Sequence, residues 1–129
     1  MANEPAPIRI VLVEDHDVFR RSLEFLLGGT DGIEVVGSVA FGAEAAEVCA
    51  SSGADVAVID LRLPDIDGWE AAKEVRERRP ETRIVFLSGA DGPEEHVAAQ
   101  RLSAPLVRKD DGVEALVGAV RAATGAGEA

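Results

Sequence analysis

The sequence has little cysteine, little positive charge and no long apolar run. Cys49 is the single cysteine among 129 residues. One cysteine closes no internal disulfide and builds no multi-cysteine metal site, and the usage predicts a reducing compartment. Lys and Arg total 13 against 24 Asp and Glu, a formal charge of −11. A phosphate backbone is attracted by basic patches, so this balance predicts no direct nucleic-acid binding by the chain. The apolar stretches are too short to span a bilayer. The polar start, Met1 to Pro7, lacks the basic-then-apolar layout of a signal peptide. A cytoplasmic protein with no membrane partner is therefore expected. The length suits one domain, which buries roughly two-thirds of its unfolded surface. The 47% hydrophobic content argues for a folded globule rather than an acidic disordered tail.

What is present is a strict alternation. Ile8 to Val13 is a short, almost wholly apolar run, suited to a strand covered on both faces. It stops at Glu14, Asp15 and His16. Phe19, Leu23, Leu26 and Leu27 then recur at helical spacing, with Asp17 placed to cap and Gly28 and Gly29 ending the helix. The cycle repeats. Residues 34–39 read as a strand and 43–50 as an Ala-rich helix. Residues 55–59 read as a strand ending at Asp60, followed by a helix over 69–79 closed by Pro80. Residues 83–87 read as a strand ending at Ser88, followed by a helix over 94–102. Residues 104–108 read as a weaker strand ending at Lys109, followed by a helix over 113–123. Five strand–helix pairs predict an α/β fold: a doubly wound, five-stranded parallel sheet with helices on both faces and right-handed crossovers. The domain is expected to span 1–124, with 125–129 a tail or the start of a linker.

In open parallel sheets ligands bind beyond the carboxyl ends of the strands. The residues expected there are Glu14, Asp15, Asp60, Ser88 and Lys109. Two carboxylates about 4 Å apart repel by roughly 4 kcal/mol at an effective dielectric near 20, so three together need a compensating cation. Lys109 supplies one charge and Mg²⁺ would supply two more. That ion favours octahedral oxygen ligands, typically one or two carboxylates plus phosphate oxygens. Asp15, Asp60 and a nearby backbone carbonyl suit this habit. An ionised aspartate in this setting can attack phosphorus as a nucleophile. Lys109 and the metal would stabilise the charge on the transferring group, and Ser88 could donate a hydrogen bond to it. No separate base is required, and His16 is expected to be a capping or surface residue.

These pieces closely resemble the receiver domain of bacterial two-component response regulators. The matching residues are Val11 to His16, then Asp55 to Asp60 with Pro64, Asp67 and Gly68 following, then Ile84 to Ser88, and Lys109. The resemblance covers nearly the whole chain. The acid pair followed by His16, with Arg62 just after the acceptor and Asp110 after the lysine, is most similar to the NarL/FixJ subfamily. The resemblance implies a flavodoxin-like strand order 2-1-3-4-5 and a phosphoacceptor at Asp60. It implies Mg²⁺ (or Mn²⁺) held by Asp15, Asp60 and the Arg62 backbone carbonyl, with Glu14 acting through a metal-bound water. It implies Ser88 as the switch hydroxyl and Lys109 on the phosphoryl group. A sensor histidine kinase would be the donor, and homodimerisation on phosphorylation is expected. The role would be that of a signalling switch rather than an enzyme with turnover, regulating transcription through a DNA-binding output domain that this chain lacks.

Three positions depart from the family pattern. Leu106 stands where an aromatic switch residue is usual, and leucine cannot swing a ring between two rotamers. Asp110 follows Lys109 where many receivers have a cis-proline, so no slow cis step is expected. Glu14 replaces the usual first aspartate and is one methylene longer. Leu106 also supports an alternative, a phosphorylation-independent interaction module. A haloacid-dehalogenase-type phosphatase would want a second aspartate where Arg62 stands. A dinucleotide enzyme would want a glycine-rich turn where Glu14, Asp15 and Asp17 would repel a pyrophosphate.

Overall fold

The strand β1 (Ile8–Val13) is apolar at nearly every position because both its faces are covered. Val11 and Val13 point into one buried cluster, and Ile10 and Leu12 into another on the opposite side. The computed structural model describes residues 6–89, 97 and 99–125. Around β1 are β2 (Ile33–Val39), β3 (Val56–Asp60), β4 (Arg83–Ser88) and β5 (Leu106–Arg108). Every pairing is parallel and the order is β2-β1-β3-β4-β5. This is the expected doubly wound, flavodoxin-like sheet.

Helices α1 (Asp17–Gly28), α2 (Ala45–Ser52) and α3 (Gly68–Arg78) follow the first three strands. A fourth helical segment, α4, is described at residues 97 and 99–101. The expected start of that helix at 94 lies outside the described residues, as does most of the expected tail. Helix α5 (Val113–Thr124) closes the fold. The α2 and α3 residues Ala45, Cys49, Ala71, Ala72 and Val75 pack on the face of Val11, Val13, Ala57 and Ile59. The α1 and α5 residues Leu23, Leu27, Leu116, Val117 and Val120 pack on the face of Ile10, Leu12, Val56 and Val58. Small residues dominate the buried faces of α2 and α3, which lets those helices approach the sheet closely. No helix among the described residues is long and apolar enough to cross a membrane.

Local chemistry shifted three details. The α1 cap is His16, not Asp17: the His16 Nδ1 accepts from Phe19 N at 3.2 Å. Asp17 is engaged instead by Arg20 at 2.6 Å and Arg21 at 3.3 Å. The expected start of α2 is a 3-10 turn over Gly42–Glu44, because the Asp65 carboxylate takes the Gly42 and Ala43 amides at 2.9 and 2.8 Å. Strand β5 is shorter than expected. Pro105 has no N–H to donate, although its carbonyl still accepts from Phe86 N at 2.9 Å. Among the described residues there is no cis peptide bond.

Candidate functional site

Strand register assembles the site. Val13 is the partner of Ile59, so Glu14 and Asp60 leave adjacent strands at the same level. Ser88 is the partner of Arg108, so Lys109 follows one step beyond. Pairing continues past the strand ends, with Glu14 N donating to Val39 O and Leu61 N to Leu87 O, both at 3.0 Å. Alternation turns Asp60 to the side of Val56 and Val58, the face covered by α1 and α5.

Glu14 is fully buried and Asp60 is 3% exposed, whereas Asp15 is exposed. Carboxylate oxygens of the three lie within 4.8 Å of one another. The Lys109 ammonium stands 2.7 Å from Asp60 Oδ2 and 2.9 Å from Glu14 Oε1. Backbone amides hold the other oxygens: Arg62 N donates to Asp60 Oδ1 and His16 N to Glu14 Oε2, each at 2.9 Å. Each buried carboxylate is thus fixed at one oxygen by the backbone and faces Lys109 with the other.

The charges do not balance. Three carboxylates against one ammonium leave two negative charges when all are ionised. Burial pushes the Glu14 carboxyl up to about 7, a rise that the neighbouring Lys109 only partly opposes. Burial would lower the Lys109 ammonium, but the Asp60 and Glu14 carboxylates outweigh it and raise it. Glu14 Oε1 is buried, with the Lys109 ammonium 2.9 Å away. An all-oxygen, acid-rich pocket with surplus negative charge is the donor set of a hard divalent cation, and Asp15 leaves it open to solvent. The residues therefore fit Mg²⁺ or Mn²⁺.

The loop after β3 packs tightly on the main chain at the end of that strand. Gly68 N donates to Leu61 O at 2.9 Å, and a Cβ at Gly68 would stand 2.6 Å from the Leu61 Cα. Asp65, an exposed loop acid, ties this loop to the 3-10 turn before α2. Ser88 ends β4 and is buried. Leu106 begins β5 beside Phe86 and packs into the α2/α3 cluster, away from the face that carries Asp60.

Two residues at the site escaped sequence reasoning. Arg20 Nη1 donates to the Glu14 carbonyl at 2.8 Å, and its guanidinium also pairs with Asp17 and Glu24. Phe19, read as an apolar helix residue, lies with its ring 5.0 Å from Lys109 Nζ. The signal available for both was their place in the first turn after the acid pair, where a helix folds back over the strand end.

Residues 10–121 match the family model for the response regulator receiver domain. The chain is 35% identical over 111 residues to the uncharacterized transcriptional regulatory protein YhcZ of Bacillus subtilis, covering 85% of this chain and 52% of that protein. It is 33% identical over 118 residues to the probable transcriptional regulatory protein NarL of Mycobacterium tuberculosis, covering 91% of this chain and 55% of that one. It therefore spans about half the length of these curated relatives. Among solved structures, the receiver domain of the M. tuberculosis NarL superposes with a TM-score of 0.80 at 31% identity, covering 91% of this chain and 98% of that one. Fold, acid pocket and these likenesses agree: the chain belongs to the response regulator receiver domain family, and its relatives are of the NarL/LuxR type.

Proposed function

We propose that Asp60 accepts a phosphoryl group from the phosphohistidine of a sensor histidine kinase, and that the chain is the signalling switch of a two-component phosphorelay. The observation that carries this reading is the fixed, buried Asp60 carboxylate, with Lys109 at one oxygen and the Arg62 amide at the other. An Asp60 oxygen forms the new O–P bond as the N–P bond of the donor breaks, and the electron pair returns to the imidazole. The nucleophile is already an anion, so no base is consumed. Lys109 moves its charge from the carboxylate to the phosphoryl oxygens, and Ser88 donates a hydrogen bond to them. Asp15, Asp60 and the Arg62 carbonyl would hold Mg²⁺ or Mn²⁺, with Glu14 behind a water, and the ion would supply further charge neutralisation on the phosphoryl oxygens. The chain is an acceptor with no turnover of its own.

Esterification replaces the single charge of the Asp60 carboxylate with the about −1.5 to −2 charge of a phosphoryl group. The segment bearing Ser88 moves toward that charge, α4 and β5 re-pack, and a surface for a homodimer or output domain changes. The receiver unit comprises residues 1–124, and 125–129 serve as a tail or the start of a linker. The setting is cytoplasmic, and transcription is regulated through a DNA-binding domain elsewhere. Leu106 favours a second reading, an interaction module whose association ignores phosphorylation. Its packing in the α2/α3 cluster offers no ring to follow Ser88.

Acetyl phosphate with Mg²⁺, read by intact mass, tests the proposal. The wild-type chain is expected to gain one phosphoryl group, and EDTA or Asp60→Asn to abolish the gain. Labelling of Asp60→Asn, or none of the wild type, overturns it. Association unchanged by labelling favours the second reading.

A further inference from the structure

We propose that Phe19 is a positioning residue for Lys109, its ring face holding the ammonium where it reaches Asp60 and Glu14 together. This rests on the reading of Asp60 as phosphoacceptor. Lys109 Nζ lies 5.0 Å from the ring centroid, 2.7 Å from Asp60 Oδ2 and 2.9 Å from Glu14 Oε1. Among the described residues, the ammonium therefore has two carboxylates and one aromatic face about it. A cation over a ring face is attracted by the ring quadrupole, more strongly as water is excluded. The Lys109 side chain is 25% exposed, so the site is partly desolvated.

The three partners differ in permanence. Asp60 loses its charge on becoming an acyl phosphate, and Glu14 changes its field when a cation enters beside it. The ring is indifferent to both events. Phe19 packs against the α1/α5 cluster, and its amide is bonded to the His16 cap. On another side the lysine stem passes Gly89, where a Cβ would stand 3.9 Å from the Lys109 Cδ, so Gly89 itself offers no side chain as a wall. A flexible four-carbon side chain thus keeps one fixed partner through metal entry and phosphoryl transfer. The ring guides the ammonium and touches neither donor nor phosphorus.

Mono-, di- and trifluorinated phenylalanine at position 19 test this, because fluorine drains the ring face while nearly preserving its shape. The rate of Asp60 labelling by acetyl phosphate at fixed Mg²⁺ is expected to fall stepwise. At the trifluoro ring the fall reaches about fivefold, which is about 1 kcal/mol at 1.36 kcal/mol per tenfold. Tm should not change along the series, Phe19→Leu should be slow, and Phe19→Trp should retain the rate. The Lys109 ε-methylene proton resonances, moved upfield by the ring current, should return to ordinary positions in Phe19→Leu. A wild-type rate that labels normally and stays flat across fluorination overturns the positioning role alone. A wild-type chain that takes no label overturns the phosphoacceptor reading and the role with it, while the Lys109 resonances still report whether the ring contact exists.

Discussion

A methyl group on Gly68 would collide with the carbonyl oxygen of Asp60 and stand 2.6 Å from the Leu61 Cα. The first turn of α3 is therefore packed directly on the backbone of the residue at the centre of the acid pocket. Gly68→Ala would force the loop outward. Overpacking of this kind costs about 1–3 kcal/mol, and here the obstacle is main chain that cannot rotate away. Urea denaturation should show a loss in that range, and phosphoryl labelling of Asp60 should slow because its carboxylate is displaced from Lys109. A variant as stable as wild type would mean that the loop yields more easily than the packing implies.

Glu14 predicts an unusual pH dependence for the metal-free chain. Its ordinary value is 4.5, and burial, opposed by Lys109, raises it to about 7 in the folded state. The folded chain then binds this proton more tightly than the unfolded chain does. Its contribution favours folding at low pH, declines as pH rises from about 4.5 to about 7, and is constant above. The full span is on the order of a few kcal/mol. In EDTA, the stability of wild type relative to Glu14→Gln should fall between about pH 5 and about pH 7. Parallel stability curves for the two chains would refute the assignment.

Asp65 should anchor the loop after β3. Slight burial works against its charge, but the Ala43 and Gly42 amides outweigh it and hold its carboxyl below the usual range. Asp65→Ala removes both acceptors and should cost about 1 kcal/mol, less than the usual charged hydrogen bond because the site is exposed. The clearest check is amide hydrogen exchange: protection at Gly42 and Ala43 should drop while that of β1 and β3 holds. Unchanged exchange at those two amides would contradict the anchor.

Much of this was legible along the chain because each rule is local. Apolar runs of five or six residues that end abruptly in acids, a hydroxyl or a lysine mark the carboxyl ends of buried parallel strands. Helical periodicity marks what covers them. Glu14, Asp15, Asp60, Ser88 and Lys109 were nameable for that reason. Asp17 shows where local reasoning failed. Aspartate is a good cap, yet Arg20 and Arg21 claimed its carboxylate and His16 took the amide. A cap propensity of about 1 kcal/mol decides nothing when a neighbour competes for the same oxygen. Likewise Asp65 reads as one more loop acid until the fold brings Gly42 and Ala43 beneath it.

Spacing and residue chemistry alone specify the strand–helix alternation, the identity of the acids and the lysine, and the glycine after Asp67. Packing between separate elements is what makes Glu14 and Asp60 share a single ammonium, buries Glu14 enough to push its carboxyl up to about 7, and sets Phe19 over Lys109. The reason is physical. Periodicity specifies which face of an element is covered, whereas distances of a few ångströms between charges, and the water excluded from between them, depend on how separate elements pack together.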